Sequence, residues 1–140
     1  MLLNDAREAY YYNSGKLGEV VRPLSLGGIA LVWLFKDTVN GSTFLASELY
    51  FAIFYLAISL GLDVLQYTYA SVAWGYYHRK QEKAILKANG GDIKKSGEQA
   101  FNAPIGINTP TIMFFWLKLI IFSFGYYNIV IYLYRTIYPA

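Results

Sequence analysis

The chain has 140 residues, of which 56% are hydrophobic and only 15% are charged. This composition, with a mean hydropathy of +0.31, lies outside the usual balance of soluble domains and predicts an integral membrane protein. The chain contains no cysteine, which excludes disulfide frameworks, thiolate nucleophiles and metal sites built on Cys ligands.

The N-terminal segment, residues 1–22, is polar and of mixed charge, and it lacks the apolar core of a signal peptide. Its triplet Tyr10-Tyr11-Tyr12 suits a membrane interface, because a tyrosine ring is apolar and its hydroxyl group prefers water. We therefore predict an interfacial amphipathic segment, with a break at Asn13-Ser14-Gly15.

The next segment, residues 23–36, is apolar but short for a membrane span. We predict a short first transmembrane helix, which the two preceding valines lengthen if Arg22 extends its charge to the headgroups. A re-entrant or interfacial helix is the alternative. A tight turn is predicted over 37–42, where Asn40-Gly41-Ser42 combines turn-forming residues.

The second predicted transmembrane helix, residues 43–77, carries the strongest membrane signal. From Leu49 to Tyr77 the only charged side chain is Asp63, and about 20 apolar residues suffice to cross the hydrocarbon core. A cytoplasmic helix extension and loop, residues 78–109, is predicted to follow. Gly90-Gly91 is predicted to end the extension, because glycine commonly terminates helices.

The third predicted transmembrane helix covers residues 110–135 and contains Lys118 in its interior. Thr109 is predicted to cap its N-terminus and Pro110 to occupy its first turn. The predicted fold class is an all-α membrane protein with three transmembrane helices, an N-terminal amphipathic segment and a helical cytoplasmic extension of the second span.

Basic residues predict how this chain is oriented in its membrane. Nine of the 12 Lys and Arg residues fall in the N-terminal segment and in 78–109, whereas Lys36 and Arg135 lie on the opposite side. The N-terminus and the 78–109 loop are therefore expected in the cytoplasm. If residues 23–36 do not span, the loop stays cytoplasmic and the N-terminus moves outside.

The polar residues of the second span share one helix face. Steps of three and four residues connect Tyr55, Ser59, Asp63 and Gln66. A charge inside a span is costly unless protein or water surrounds it, so we expect these residues and Lys118 to form an intramembrane polar seam. The third span presents a corresponding face, made of Thr111, Phe115, Lys118, Phe122, Gly125, Ile129 and Tyr132.

The role of Asp63 stays open from the sequence. Asp63 and Lys118 form an ion pair if the cytoplasmic boundary lies near Trp74, which brings them to similar depths. Alternatively, Lys118 extends to the headgroups, while Asp63 is protonated or bonded to Tyr55, Ser59, Gln66 or a backbone carbonyl. Two further hypotheses are an ion or proton path and a contact across an oligomer axis.

A second face of the same helix carries small residues, which allow another helix to approach closely. Its two pairs with small-xxx-small spacing are Ala57/Gly61 and Ser71/Gly75. Three helices are few to shelter the polar seam, so we predict a homo-oligomer in which the second helices meet.

The sequence lacks the residue patterns of common catalytic and metal sites, and we predict a non-enzymatic protein without cofactor or metal. His78 is the only histidine, and Asp63 has no second carboxylate at its level. The Gly-Gly pairs lack the spacing of phosphate loops.

Basic residues after the second span are expected to contact lipid headgroups or a partner protein; they are Arg79, Lys80, Lys83 and Lys87. No aromatic residues are interleaved with them, so no nucleic-acid contact is predicted. Apolar residues such as Ile85 and Leu86 predict a docking surface within 78–109 for a cytoplasmic protein or a neighbouring protomer. Packing of the loop onto the membrane is the rival interpretation.

Three N-terminal stretches, Ala9–Lys16, Arg22-Pro23-Leu24 and Gly28–Phe35, resemble the opening of small, uncharacterised bacterial multi-pass membrane proteins. Some of those proteins accompany bacteriophage-defence genes. The resemblance implies a membrane component of a defence or stress system, and it carries over no functional residues.

The leading hypothesis is a non-enzymatic, oligomeric inner-membrane protein that anchors or relays to a cytoplasmic partner through 78–109. The alternative is a pore-forming or membrane-disrupting effector whose path is lined by the polar seam. A small proton-coupled transporter is the third hypothesis.

Overall fold

A computed structural model describes residues 3–39, 42–91 and 104–139. Its three long helices are α1 (Leu3–Leu34), α2 (Ser47–Ala88) and α3 (Thr109–Ile137). Two short strands, β1 (Asp37–Val39) and β2 (Ser42–Phe44), connect α1 to α2, and a 3-10 turn (Ile105–Asn108) precedes α3. Each helix is long and apolar enough to cross a membrane, which confirms the predicted all-α fold class with three candidate spans.

The first helix is continuous from Leu3 to Leu34, so the predicted break at Asn13-Ser14-Gly15 is wrong. Its apolar part, Ser14–Leu34, has 21 residues and is longer than the predicted span over 23–36. A break within a membrane leaves peptide groups unpaired, at a cost on the order of several kcal/mol, whereas one glycine costs a helix about 1 kcal/mol. Continuity therefore has the lower free energy, and Pro23 lies inside the helix.

The connection between α1 and α2 is an antiparallel hairpin, in which Asp37 pairs with Phe44 and Val39 pairs with Ser42. It lies where the sequence predicted a turn, although residues 40–41 lie outside the described residues. Because residues 42–44 pair as a strand, α2 begins at Ser47 rather than at residue 43.

The second helix runs without interruption for 42 residues, which is about 63 Å at roughly 1.5 Å per residue. A hydrocarbon core of about 30 Å accommodates only part of this length, so α2 extends beyond it. The helix ends after Ala88, where Gly90 and Gly91 adopt positive φ values of 62° and 90°. The predicted helical extension and its glycine stop are confirmed.

The third helix begins at Thr109 and ends at Ile137. Asn108 occupies the N-cap position, although its side chain makes no capping hydrogen bond to the helix, so the prediction of Thr109 as the cap is wrong by one residue. Pro110 lies in the first turn, where the missing backbone N–H of proline has no helical partner to lose.

Hydrogen bonds and ion pairs between the helices establish their directions. α2 and α3 are antiparallel, because they meet in the order Glu48–Arg135, Ser59–Lys118 and Trp74–Asn108. α1 is bonded to α3 through the Tyr126 hydroxyl, which donates to the Leu24 carbonyl at 2.6 Å. The buried residues of α3 all belong to the face predicted from the sequence: Phe115, Lys118, Gly125 and Ile129.

The apolar core occupies the half of the bundle near the hairpin and comprises Val32, Leu49, Ala52, Leu56 and Ile129. Leu56 lies between two glycines of the neighbouring helices. A Cβ atom added to Gly28 would lie 2.8 Å from Leu56 Cδ1, and one added to Gly125 would lie 2.9 Å from Leu56 Cγ. Absence of side chains at these two positions therefore allows the three helices to approach each other closely.

This close approach predicts opposite results for two adjacent glycines. Gly28→Ala is expected to destabilise the protein by about 1–3 kcal/mol, because the new methyl group overpacks a fully buried leucine. Gly27→Ala is the matched control, since nothing lies within 4 Å of its added Cβ and alanine favours the helix. Equilibrium unfolding of each purified variant in mixed micelles measures its free energy of unfolding. Equal stabilities of the two variants would contradict the close approach.

Candidate functional site

Asp63 lies at the centre of an ion network formed by all three helices. Its side chain is 7% exposed, and one oxygen, Oδ1, lies 2.5 Å from Lys118 Nζ on α3. The other oxygen, Oδ2, accepts a hydrogen bond from Arg22 Nε on α1. A buried carboxylate between two cations avoids the high free energy of an unpaired charge inside a membrane.

Lys118 is the most completely enclosed charge of the network, with a side chain that is 1% exposed. Besides Asp63, its ammonium group donates to Gln66 Oε1 at 3.1 Å. The Phe115 ring centroid lies 5.6 Å from Nζ, within the distance at which an aromatic ring attracts a cation. On the α1 side, a Cβ added to Gly18 would lie 3.9 Å from Nζ, so α1 passes directly beside the ammonium group.

Arg22 is the member of the network that the sequence reasoning missed. Its guanidinium lies 4.4 Å from the Tyr67 ring centroid and bonds to Asp63, so the expectation that it extends to the headgroups is wrong. The carboxylate of Asp63 gives the guanidinium a counter-charge within the bundle. The Arg22 side chain is 41% exposed, in a groove of about 600 Å³ that Val64 and Ser71 also line.

The depths of Asp63 and Lys118 follow from a contact at one end of the bundle. Trp74 Nε1 donates to Asn108 Oδ1 at 3.1 Å, so these residues lie at one level. At a rise of 1.5 Å per residue, Asp63 lies about 16 Å inward from Trp74, and Lys118 lies about 15 Å inward from Asn108. This is the shallower of the two boundaries considered from the sequence, and it brings the two charges together.

The other residues of the predicted seam bond differently from the alternatives considered. Ser59 is buried and donates to the backbone carbonyl of Lys118 at 3.3 Å rather than to Asp63. Tyr55 is half-buried, with its ring centroid 6.0 Å from that of Phe124. Gln66 contacts Lys118 instead of the carboxylate. The structure thus brings Ser59, Asp63, Gln66 and Lys118 together, whereas Tyr55 packs among aromatic rings.

The small-residue face of α2 points away from its own bundle. Ala57, Gly61, Ser71 and Gly75 are all exposed. A Cβ added to either glycine would have nothing within 4 Å. These residues therefore do not mediate contacts between α1, α2 and α3, which Gly28 and Gly125 mediate instead.

The basic residues of the extension lie on the exposed C-terminal part of α2. Arg79, Lys80, Lys83 and Lys87 are all exposed to solvent. The first three border a shallow depression of about 280 Å³, together with Tyr76. The rest of the predicted 78–109 segment is described only to residue 91 and from residue 104, so its loop interpretation lies mostly outside the described residues.

A cavity of about 300 Å³ connects the network with the end of the bundle where α3 begins. It lies between the three helices, with Trp74 and Asn108 at its mouth and Gln66 and Lys118 at its inner end. Polar chemistry deep in the bundle is therefore accessible from one side. The opposite half is filled by the apolar core around Leu56.

The network can hold charge but shows no metal-binding arrangement. Within the described ranges, no group of three or more His, Cys, Asp or Glu residues is placed to bind a metal ion. Two cations, Arg22 and Lys118, share the single carboxylate of Asp63, so the network carries one formal positive charge in excess.

Comparisons of this chain with models of protein families, with curated proteins and with solved structures found no match.

The two-cation arrangement predicts an order of stability among variants. Asp63→Asn is expected to cost about 3–5 kcal/mol of unfolding free energy, because it leaves both cations without a counter-charge. Lys118→Met is expected to cost less, since Arg22 still neutralises Asp63. The double variant should be more stable than the sum of the single effects predicts, by about 0.5–3 kcal/mol. Equilibrium unfolding in mixed micelles provides these values.

The control for this cycle is the ion pair at the opposite end of α2. Arg135→Gln removes the ion pair between Arg135 and Glu48. Because the Arg135 side chain is 69% exposed, we expect a loss of about 1 kcal/mol or less of unfolding free energy. Strictly additive effects of the Asp63 and Lys118 substitutions would refute the ion network.

Proposed function

We propose that this protein is a non-enzymatic, oligomeric inner-membrane protein that anchors or relays to a cytoplasmic partner through residues 78–109. The observation that carries the proposal is the continuity of α2, which is one helix from Ser47 to Ala88. The same helix holds Asp63 inside the bundle and exposes Arg79–Lys87 beyond it. A continuous helix transmits a displacement or rotation from one end to the other without a hinge.

The ion network supports an anchoring role, because it fixes α2 against both neighbours. Arg22 comes from α1 and Lys118 comes from α3, and both bond to one carboxylate of α2. Sliding any helix by one turn, about 5.4 Å, would separate these charges inside the membrane. The register of α2, and hence the position of its extension, therefore depends on this contact.

A homo-oligomer is supported by two features on one side of the molecule. The small-residue face with Gly61 and Gly75 is exposed and free for close approach of a second helix. Beside it, Arg22 is partly exposed in the groove with Val64 and Ser71. A second copy packed against this face would cover a guanidinium that is unfavourable in contact with acyl chains.

The basic extension supports a location at an anionic membrane surface. Each exposed lysine or arginine near such a surface contributes about 1 kcal/mol of attraction. Arg22 lies within the bundle and no longer counts among the charges that flank the spans. The remaining Lys and Arg residues still predominate on the side of the extension, and we place this side in the cytoplasm of a bacterium. The resemblance of the N-terminal stretches favours a defence or stress system as the setting.

The pore hypothesis receives less support from the geometry. Polar groups expected to line a path, Ser59, Asp63 and Gln66, bond to Lys118 within a single bundle. The apolar core blocks the continuation of the cavity beyond them. Conduction by one protomer would therefore require both the network and the core to open.

Orientation is directly testable, because the chain contains no cysteine of its own. Single variants Thr43→Cys and Lys83→Cys place one exposed thiol on the hairpin and one on the extension of α2. In intact spheroplasts, a membrane-impermeant maleimide is expected to label Thr43→Cys at once and Lys83→Cys only after lysis. The reverse pattern would place the extension outside and exclude a cytoplasmic partner.

The anchoring function predicts protein contacts at the extension. A photo-crosslinking amino acid at Ala84, exposed on the extension, is expected to yield a discrete protein adduct in cells. The adduct should weaken when Arg79, Lys80, Lys83 and Lys87 are replaced by Gln. The same probe at Val130, which is 59% exposed on α3, is the control for random collisions within the membrane.

Two outcomes would count against the anchoring function. One is the absence of a protein adduct at Ala84 together with normal insertion. The other is conductance of the purified protein in planar bilayers. The anchoring function predicts no more current than lipid alone gives. Steady currents that Asp63→Asn alters would favour the pore instead.

A further inference from the structure

The cavity that ends at Lys118 has the features of a ligand site, independently of the anchoring function. We infer that it binds a monoanionic amphiphile, a molecule with one carboxylate and a short apolar body. The inference rests on four features: the charge beside the inner end of the cavity, the unused hydrogen-bond donor of Lys118, the apolar walls of the cavity, and the depth of its inner end within the bundle.

The ion network beside the inner end of the cavity carries a net positive charge. Asp63 is shared between Lys118, which lines the cavity, and Arg22, which lines the neighbouring groove, so the network keeps one formal positive charge. The other carboxylates with described side chains lie elsewhere: Glu19 pairs with Lys16, Glu48 pairs with Arg135, and Asp37 and Glu82 are exposed on the hairpin and on the extension. An unneutralised charge in a low-dielectric site is costly, so an anion gains affinity by entering it.

Lys118 has hydrogen-bonding capacity left for such an anion. An ammonium group has three donors, and among the described residues Lys118 uses two, toward Asp63 and Gln66. Nζ lies beside Gly18 of α1 and is buried, and its third donor has no partner among the described residues. Lys118 and Gln66 both line the cavity, so a guest that fills the inner end can accept this third hydrogen bond.

The walls select for an apolar body behind the charged group. Between mouth and inner end, the cavity is lined by Ala70, Ile112 and Phe115. Its volume of about 300 Å³ lies at the lower limit of small-molecule sites. An inorganic anion would leave most of this apolar surface in contact with water, whereas a short acyl chain would fill it.

Depth argues for a carboxylate rather than a phospholipid headgroup. The inner end lies about 15 Å inward from the level of Asn108. A phospholipid keeps its phosphate at the membrane surface and its acyl chains toward the bilayer centre, the reverse of the polarity of this cavity. A short-chain carboxylate is water-soluble and can enter from the mouth with its charged group foremost.

Octanoate is the probe for this site, with the full-length protein in phosphatidylcholine nanodiscs. Trp74 at the cavity mouth reports binding through tryptophan fluorescence. We expect a saturable change with octanoate and none with 1-octanol, which has a similar body without the charge. Lys118→Met should weaken octanoate binding by about tenfold or more, and Lys36→Met, a lysine outside the cavity, should not.

A second variant keeps the test independent of the ion pair. Ala70→Phe leaves every charge in place and fills the cavity, so it should also weaken octanoate binding by about tenfold or more. Val130→Phe, at an exposed site on α3, is the matched control for the added ring. The site is refuted if octanoate does not saturate, if 1-octanol competes equally, or if Lys118→Met or Ala70→Phe binds as the original chain does. Displacement of octanoate by added phosphatidylglycerol would assign the cavity to a headgroup and also overturn the inference.

Discussion

The structure depends on how one carboxylate is neutralised inside a membrane-spanning bundle. Asp63 receives a cation from each neighbouring helix, Arg22 from α1 and Lys118 from α3. Because an unpaired charge at this depth is strongly unfavourable, the three helices can hold their register only where these groups meet. The network thereby sets the positions of the cavity beside it and of the long α2 extension beyond it.

Two different kinds of contact hold the two halves of the bundle. Near the hairpin, Leu56 fits between glycines of α1 and α3, and close van der Waals contact stabilises the helices without polar groups. Toward the extension, charges replace this apolar contact and a cavity remains. The half near the hairpin is therefore tightly packed and apolar. The half toward the extension contains the charged groups and the accessible cavity.

Much of this arrangement was predictable from spacing along the sequence. Period-3.6 reasoning correctly grouped the buried residues of α3, including Lys118, and it placed Ser59 and Asp63 on one face of α2. Arg22 was missed because it adjoins Pro23 at the edge of a short apolar run, where a flanking charge ordinarily reaches the headgroups. Only the continuity of α1 reveals that Arg22 lies within the span, and that continuity results from backbone hydrogen bonding rather than hydropathy. Likewise, spacing identifies small residues but cannot distinguish Gly28, which touches Leu56, from Gly61, which faces outward.

The most direct test of this account is the ionisation state of Asp63 in the membrane, measured by infrared difference spectroscopy between the original chain and Asp63→Asn. The carbonyl stretch of a protonated carboxyl group is well separated from the bands of a carboxylate. Neutralisation by Arg22 and Lys118 predicts that the substitution removes carboxylate bands only. Loss of a protonated-carboxyl band would mean that Asp63 is neutral, and the charge network could not then be what holds the three helices in register.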